Sequence, residues 1–300
     1  MELRQFTYIT TVAECGSFTK AAAKLFISQP ALSNYVARVE EDLGVKLFDR
    51  STNPMVLTYA GEQYVRRARA ILSQLEDMNR EIRDITQHIR GRLRLGFPYE
   101  RVVYMLPLLL APLHERYPGI TVEVVNGSGS SLTGSLQRGE VDFVFLPSWR
   151  SQKGIARRKI CEEELVLVTA KGYLKPEEIL EAGVVDWQKV MDRPLLTLKR
   201  GHALREFVDL LYQRSGGTEN IFLETHSNML SYRLAVQGLG MAIVPQITLN
   251  MVGNNREGEC FHLAPQPLTW EVQALYREDS YIGEVESALL ELASQVMTRS

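Results

Sequence analysis

Residues 17–43 read SFTKAAAKLFISQPALSNYVARVEEDL, and this stretch decides how the first part of the chain folds. Ser17 is a natural N-cap for a helix whose Ala21, Ala22 and Leu25 recur on one side. The pattern breaks at Phe26-Ile27-Ser28. Ser28 then caps a second helix with Pro30 in its first turn, where a missing N–H costs nothing. In that second helix Leu32, Val36, Val39 and Leu43 step by four, three and four and are expected to face inward. Gln29, Ser33, Asn34, Ala37 and Arg38 share the opposite face, and Gly44 closes the helix. A short helix pair that presents amide, hydroxyl and guanidinium groups suits reading of the DNA major groove. Taken alone, the stretch would also fit an ordinary helical hairpin with a polar face.

The flanks extend the pattern. Leu3, Phe6, Ile9 and Val12–Ala13 form an amphipathic helix able to close a three-helix core. Behind the pair come Lys46-Leu47-Phe48-Asp49-Arg50, a turn-rich Ser51-Thr52-Asn53-Pro54, and Met55-Val56-Leu57-Thr58, which together predict a two-stranded wing. With LRQFTYITTVAECGSFTKAAAKLFISQPALS, LGVKLFDR and LTYAGEQYV in place, the chain resembles the LysR-type transcriptional regulators. The match is dense over residues 1–65, and its general pattern continues to the C-terminus.

Three hundred residues allow two or three compact units, and a hydrophobic content of 45% fits a globular protein. No window approaches 18 uninterrupted apolar residues and Met1-Glu2-Leu3-Arg4 begins no signal peptide, so a cytoplasmic location with no membrane association is expected. Cys15, Cys161 and Cys260 are scattered, lack metal-ligand spacing and read as reduced thiols. Residues 1–58 hold six Lys/Arg and six Asp/Glu, a net charge of zero where a basic excess is usual for DNA binding. The acids Glu40-Glu41-Asp42 fall at the far end of the second helix, away from its positive N-terminus. A shallow salt dependence is therefore expected.

After Thr58, a good N-cap, a long helix is predicted from Tyr59 to about Ile89. Tyr64, Ala68, Ile71, Leu75, Met78, Ile82, Ile85 and Ile89 alternate steps of four and three, an a/d heptad seam along a rod of roughly 46 Å. This periodicity predicts a dimerising linker. Gly91 ends it, and alternating strands and helices follow. Strands are predicted at Arg92–Phe97, Ile120–Val125 and Val141–Leu146, with helices at Val103–Tyr117 and Leu132–Arg138. After a connecting strand near Glu164–Thr169, a second round has strands at Leu195–Leu198, Ile221–Glu224 and Met241–Val244. Its helices are Ala203–Arg214 and Met229–Gln237, and Glu271–Tyr276 and Gly283–Met297 return to the first unit. The fold class is α/β: a winged helix-turn-helix over 1–58, a linker helix over 59–90, and a two-lobed α/β effector domain over 91–300. Lobe I takes 91–161 and 269–300 and lobe II 162–268; likeness of this domain to periplasmic binding proteins is what the LysR resemblance implies.

In open α/β sheets ligands sit beyond the carboxyl ends of strands, at helix N-termini. Here those segments are Pro98–Arg101, Gly127–Ser131, Pro147–Ser148, Gly201–Ala203 and Thr225–Asn228. They supply Tyr99, Glu100, Arg101, Ser128, Gly129, Ser130, Pro147, His202, Thr225 and His226 as candidate effector-binding residues. Ser, Thr, Asn and Gly also favour loops without any ligand, so it is their recurrence at four strand ends that points to a cluster. Arg101, Lys199, Arg200 and Arg205 lie near these loops, which makes an anionic carboxylate the expected effector.

Enzyme motifs are absent. GSGSSLTG lacks the third glycine of a dinucleotide loop and the flanks of a nucleophile elbow. Five dispersed histidines define no metal site, so no catalytic residue, metal or cofactor is assigned. Cys161 and Cys260 do not form the close pair of the peroxide-sensing LysR-type members, and a core role is expected for both. The resemblance implies a bacterial regulator that binds operator DNA as a homodimer assembling to a homotetramer, senses a small effector, and contacts RNA polymerase if it activates. Gln29, Pro30, Ala31, Ser33 and Asn34 are the candidates for base edges, and Ser28, Arg38 and Arg50 for phosphates. Two positions depart from the family pattern. Thr52-Asn53-Pro54-Met55 stands where relatives often carry two basic wing residues, and Asn34 where many have arginine. The alternative class is a cytoplasmic ligand-binding protein whose helical head serves protein assembly.

Overall fold

The first three helices are α1 (Leu3–Cys15), α2 (Phe18–Lys24) and α3 (Gln29–Leu43), and each starts and stops where local chemistry requires. Ser17 Oγ accepts the Lys20 N–H, Ser28 Oγ accepts the Ala31 N–H, and Gly16 and Gly44 close α1 and α3 in the left-handed region. The computed structural model describes residues 2–52, 54–85, 90–147, 151–181, 183–265 and 267–298. Ile9, Val12, Ala21, Ala22, Leu32, Val36 and Val39 form the core of the head, joined by Leu47, Phe48 and Val65. Leu3 and Leu43 depart from the expected pattern. Both are exposed, because each lies in the terminal turn of its helix, beyond the reach of the other two.

The wing is short. Strands β1 (Phe48–Asp49) and β2 (Val56–Leu57) pair antiparallel, Phe48 opposite Leu57 and Asp49 opposite Val56. Helix α4 (Tyr59–Ile85) follows, and Thr58 is its cap: Oγ1 accepts the Gly61 N–H at 3.0 Å and donates to the Lys46 carbonyl at 2.6 Å. Gly61 is required there, since a Cβ would stand 1.9 Å from the Leu47 carbonyl oxygen. On the heptad seam Ala68 is buried, whereas Ile71, Met78 and Ile82 are exposed. The side chain of Ile85, and Ile89 with the end of the expected linker, lie outside the described residues.

The α/β part begins with β3 (Gly91–Phe97), α5 (Tyr99–Arg116), β4 (Ile120–Asn126), α6 (Gly129–Gln137) and β5 (Phe143–Pro147). Then come β6 (Ile155–Thr169), β7 (Ile179–Glu181), β8 (Val184–Asp186), α7 (Trp187–Val190), β9 (Leu195–Leu198), α8 (Ala203–Ser215) and β10 (Ile221–Thr225). It closes with α9 (Asn228–Val236), β11 (Ala242–Pro245), α10 (Gln246–Val252), β12 (Glu259–Ala264), β13 (Leu268–Arg277) and α11 (Glu284–Thr298). Strand β3 pairs parallel with β4 and β5, as the strand–helix–strand order requires. The long strands β6 and β13 run antiparallel from Leu165–Leu268 to Ile155–Arg277, with an irregularity between Val272 and Gln273. At one end β13 pairs with β5; at the other β6 pairs with β11 and β12. These two strands connect the lobes.

The described residues fall into two compact units, one within 1–88 together with Arg138–Glu140 and one within 89–137 and 141–300. No described helix is long and apolar enough to cross a membrane.

Candidate functional site

In the head, the outer face of α3 carries Gln29, Pro30, Ala31, Asn34 and Arg38 exposed to solvent, with Ser33 half-buried. The Ser28 hydroxyl is spent on capping α3. Arg50 reaches this face from the wing: Nη1 donates to Ser33 Oγ at 3.4 Å and Nη2 to Glu40 Oε2 at 3.5 Å, while the guanidinium lies 4.8 Å from the Phe18 ring centre. Glu40 is 2% exposed rather than a surface acid. Its Oε1 accepts the N–H groups of Leu47 and Phe48 at 2.9 and 3.2 Å, and its Oε2 faces Lys46 Nζ at 3.3 Å. One of the six acids of the head is therefore neutralised internally, and it fixes the root of the wing and Arg50 together. No local pattern reveals this, because a Glu in the Glu40-Glu41-Asp42 run reads as solvated.

The α/β part holds a cavity of about 100 Å³ at the carboxyl ends of its strands. Tyr99, Glu100, Arg101, Ser128, Gly129, Pro147, His202 and His226 all line it, as the strand-end rule predicts. Ser130 and Thr225 do not. Ser130 Oγ sits 3.2 Å from Ser128 Oγ, and Thr225 Oγ1 accepts the Ser227 N–H at 3.3 Å. Apolar walls come from Leu146, Leu198, Leu204, Pro245, Ile247 and Trp270, which carry no sequence signal because buried hydrophobics at strand ends and in first helical turns look like core.

Five helix N-termini meet around this space, and two are filled by the protein's own carboxylates. Glu100 caps α9: it accepts the Ser227 hydroxyl at 2.5 Å and the N–H groups of Asn228 and Met229 at 3.0 and 3.1 Å. Glu163 accepts the Ile247 N–H of α10 at 3.1 Å, the Trp270 indole N–H at 2.7 Å and Arg101 Nη2 at 2.6 Å. Both Arg101 and Glu163 are buried. The other three receive no carboxylate among the described residues. Neither α5 nor α8 has a side-chain cap. The backbone N–H groups of Gly129 and Ser130 in α6 have no acceptor among the described residues, Ser128 Oγ being used by Ser131.

His202 and His226 touch, Nε2 to Nδ1 at 2.9 Å. Burial, then the neighbouring His226, holds His202 below the usual histidine range, against the opposing pull of Glu100. Of the four cations expected near the loops, only Arg101 lines the cavity. Arg205 is 2% exposed and committed to Asp209, Glu219 and Glu224, with Nη2 to Glu219 Oε2 at 2.7 Å. Cys161 is buried, and burial, followed by the Glu163 charge, raises its thiol to about 11; burial also raises Cys260. No group of three metal-ligating side chains occurs among the described residues.

A winged helix-turn-helix, a long helix and a two-lobed domain with a strand-end cavity match, by analogy of fold, a DNA-binding regulator with its own ligand domain. Residues 3–62 match the bacterial regulatory helix-turn-helix protein, lysR family, and residues 86–298 match the LysR substrate binding domain. The chain belongs to the LysR family of transcriptional regulators, whose members are not enzymes. It is 31% identical over 264 residues to a probable hydrogen peroxide-inducible genes activator of Streptomyces viridosporus, covering 85% of this chain and 81% of the relative. A full-length OxyR variant from Pseudomonas aeruginosa superposes with a TM-score of 0.77 at 22% identity, covering 99% and 94% of the two chains. Full-length CbnR, solved with its target DNA, gives 0.66 at 22% identity, covering 99% of this chain and all of the other. At these identities the two structures establish the fold.

Proposed function

We propose that the chain reads its operator through the outer face of α3 and answers to a small carboxylate seated at the N-terminus of α6. In this reading Gln29, Pro30, Ala31, Ser33 and Asn34 address base edges, and Arg38 and Arg50 address phosphates, Arg50 held in place by Glu40 and Ser33. Ser28 contributes through the cap that orients α3.

The carboxylate assignment rests on one observation. Around the cavity, two helix N-termini are already satisfied by the internal carboxylates Glu100 and Glu163, whereas the Gly129 N–H at the cavity wall and the neighbouring Ser130 N–H meet no acceptor among the described residues, beside the Ser128 hydroxyl. The anion would be held by oriented amides and hydroxyls rather than by a free cation. Its apolar body would lie against Leu146, Ile247 and Trp270, and the His202–His226 pair would face its polar edge. Binding would change how paired chains sit relative to one another, provided the effector favours one arrangement over the other.

Two chains would pair along α4, where Ile71, Met78 and Ile82 form an exposed apolar stripe at heptad spacing. Dimers would associate to a tetramer in the bacterial cytoplasm and contact RNA polymerase where the regulator activates. The domain limits 1–58, 59–90 and 91–300 belong to this reading.

Gly129→Pro tests the effector seat. Gly129 is the first residue of α6, where proline is tolerated, so the substitution removes one open N–H and keeps the helix. Screening the full-length chain by thermal unfolding against metabolites grouped by charge should give a rise with a carboxylate, worth about 2.7 kcal/mol at 100 times its Kd. Gly129→Pro should lose about tenfold or more in that affinity, the worth of a hydrogen bond to a charged group. Neutral ligands that bind while carboxylates do not would overturn the assignment.

A further inference from the structure

Helix α2 ends in a Schellman turn: the Phe26 N–H meets the Ala23 carbonyl at 3.3 Å and the Ile27 N–H meets the Ala22 carbonyl at 3.0 Å. The residue at the turn must be left-handed, a place usually held by glycine or asparagine. This chain puts a phenylalanine there, at φ +56°, and Phe26 is the one non-glycine residue with positive φ among the described residues. The ring gains nothing from the fold in return. Phe26 is 95% exposed, while its neighbours Leu25 and Ile27 pack into the head. A bulky side chain in strained backbone, wholly in water, satisfies neither local propensity nor burial, and such conflicts concentrate at functional positions.

Its place in the head narrows what the ring could meet. Phe26 lies two residues before Ser28, the cap of α3, and three before Gln29. It therefore stands at the end of α3 whose first residues enter the groove in helix-turn-helix recognition. A phenyl ring has no donor for a phosphate. On the rim of the major groove its matching chemistry is apolar, and the thymine C5-methyl is the apolar group displayed there.

From this the geometry points to Phe26 as a specificity-determining residue that packs against a thymine methyl at the edge of the site read by α3. The inference rests on the reading of α3 as the recognition helix.

The test uses the full-length chain and a duplex enriched by it from a random-sequence pool. Each thymine in that duplex is replaced in turn by uracil, which deletes only the methyl group. At one thymine per half-site the wild-type affinity should fall about threefold to tenfold, and Phe26→Gly should bind both duplexes equally and weakly. The slope of affinity against salt should not change, because no phosphate contact is lost. Glycine suits the left-handed turn, so the thermal midpoint of Phe26→Gly should stay level or rise, separating a lost contact from a lost fold. Phe26→Asn, also compatible with the turn, provides a second variant. Uracil substitutions that leave wild-type affinity unchanged throughout would overturn the inference. So would a Phe26→Gly protein that binds as tightly as wild type, or one whose loss comes only from altered oligomeric mass by light scattering. If wild type enriches no duplex at all, the reading of α3 fails instead.

Discussion

Glu100 and Ser227 are hydrogen-bonded, the Ser227 hydroxyl donating to Glu100 Oε1 at 2.5 Å, although 127 residues separate them. Through this contact the N-terminus of α9 receives a carboxylate from α5. Glu100→Ala removes that cap but leaves the Ser227 hydroxyl on the Leu230 N–H, so the loss should be about 1 kcal/mol, a drop of about 2–4 °C in Tm. The same change removes a negative charge from the cavity and opens a second helix N-terminus to anions. Carboxylate affinity should therefore rise in Glu100→Ala. Unchanged stability together with unchanged affinity would show that the contact carries nothing.

The Arg101–Glu163 pair is a different case, because both partners are buried and the acid also holds the Trp270 and Ile247 N–H groups. Glu163→Ala leaves a buried guanidinium uncompensated, which typically costs about 3–5 kcal/mol. Urea unfolding should show that loss, and the double variant with Arg101→Met should recover part of it. A double variant as unstable as the sum of the singles would mean that the two groups do not depend on each other.

Gly61→Ala tests the junction of wing and α4. The added methyl would meet the Leu47 carbonyl oxygen at 1.9 Å, and backbone on both sides leaves little room to move. Destabilisation of about 1–3 kcal/mol is expected, with weaker DNA binding because Leu47 shares its strand root with Arg50. Wild-type stability in Gly61→Ala would contradict this packing.

Cys161 gives a pH dependence. Its folded-state thiol lies at about 11 against 9.0 ordinarily, so the folded chain holds that proton more tightly than the unfolded chain. The contribution is complete below pH 9 and is lost as pH rises through about 11, up to about 2–3 kcal/mol. Cys161→Ala should lack this fall between pH 9 and 11 relative to wild type. At neutral pH the thiol stays protonated, so stoichiometric hydrogen peroxide should leave DNA binding unchanged. Loss of binding that dithiothreitol restores would show a reactive cysteine.

Much of the fold is legible in the sequence. Periods of four and three place Leu32, Val36 and Val39 in the core of the head, and Ser17, Ser28 and Thr58 mark their helix starts. Strand ends bring eight of the ten expected effector-site residues to one cavity. What stays hidden depends on partners distant in sequence. Glu163 and Trp270 are 107 residues apart, and neither has a local reason to be polar or buried where it is. Strand β6 is legible only near Glu164–Thr169, because Arg157-Arg158-Lys159 interrupts its apolar run. Short β7, β8 and β12 and the helices α7 and α10 leave no periodic trace. Arg205 looks available for an anion in the sequence because Asp209, Glu219 and Glu224 converge on it only in three dimensions.

Base reading by α3 is tested most directly by a single measurement. Equilibrium binding of wild type and Gln29→Ala would be compared on the enriched duplex and on every single-base variant of it. Wild type should discriminate by about 1–3 kcal/mol at one position per half-site, and Gln29→Ala should lose discrimination there and keep it elsewhere. An equal loss on every duplex, with all discrimination intact, would place Gln29 on the phosphate backbone and contradict base reading at this position.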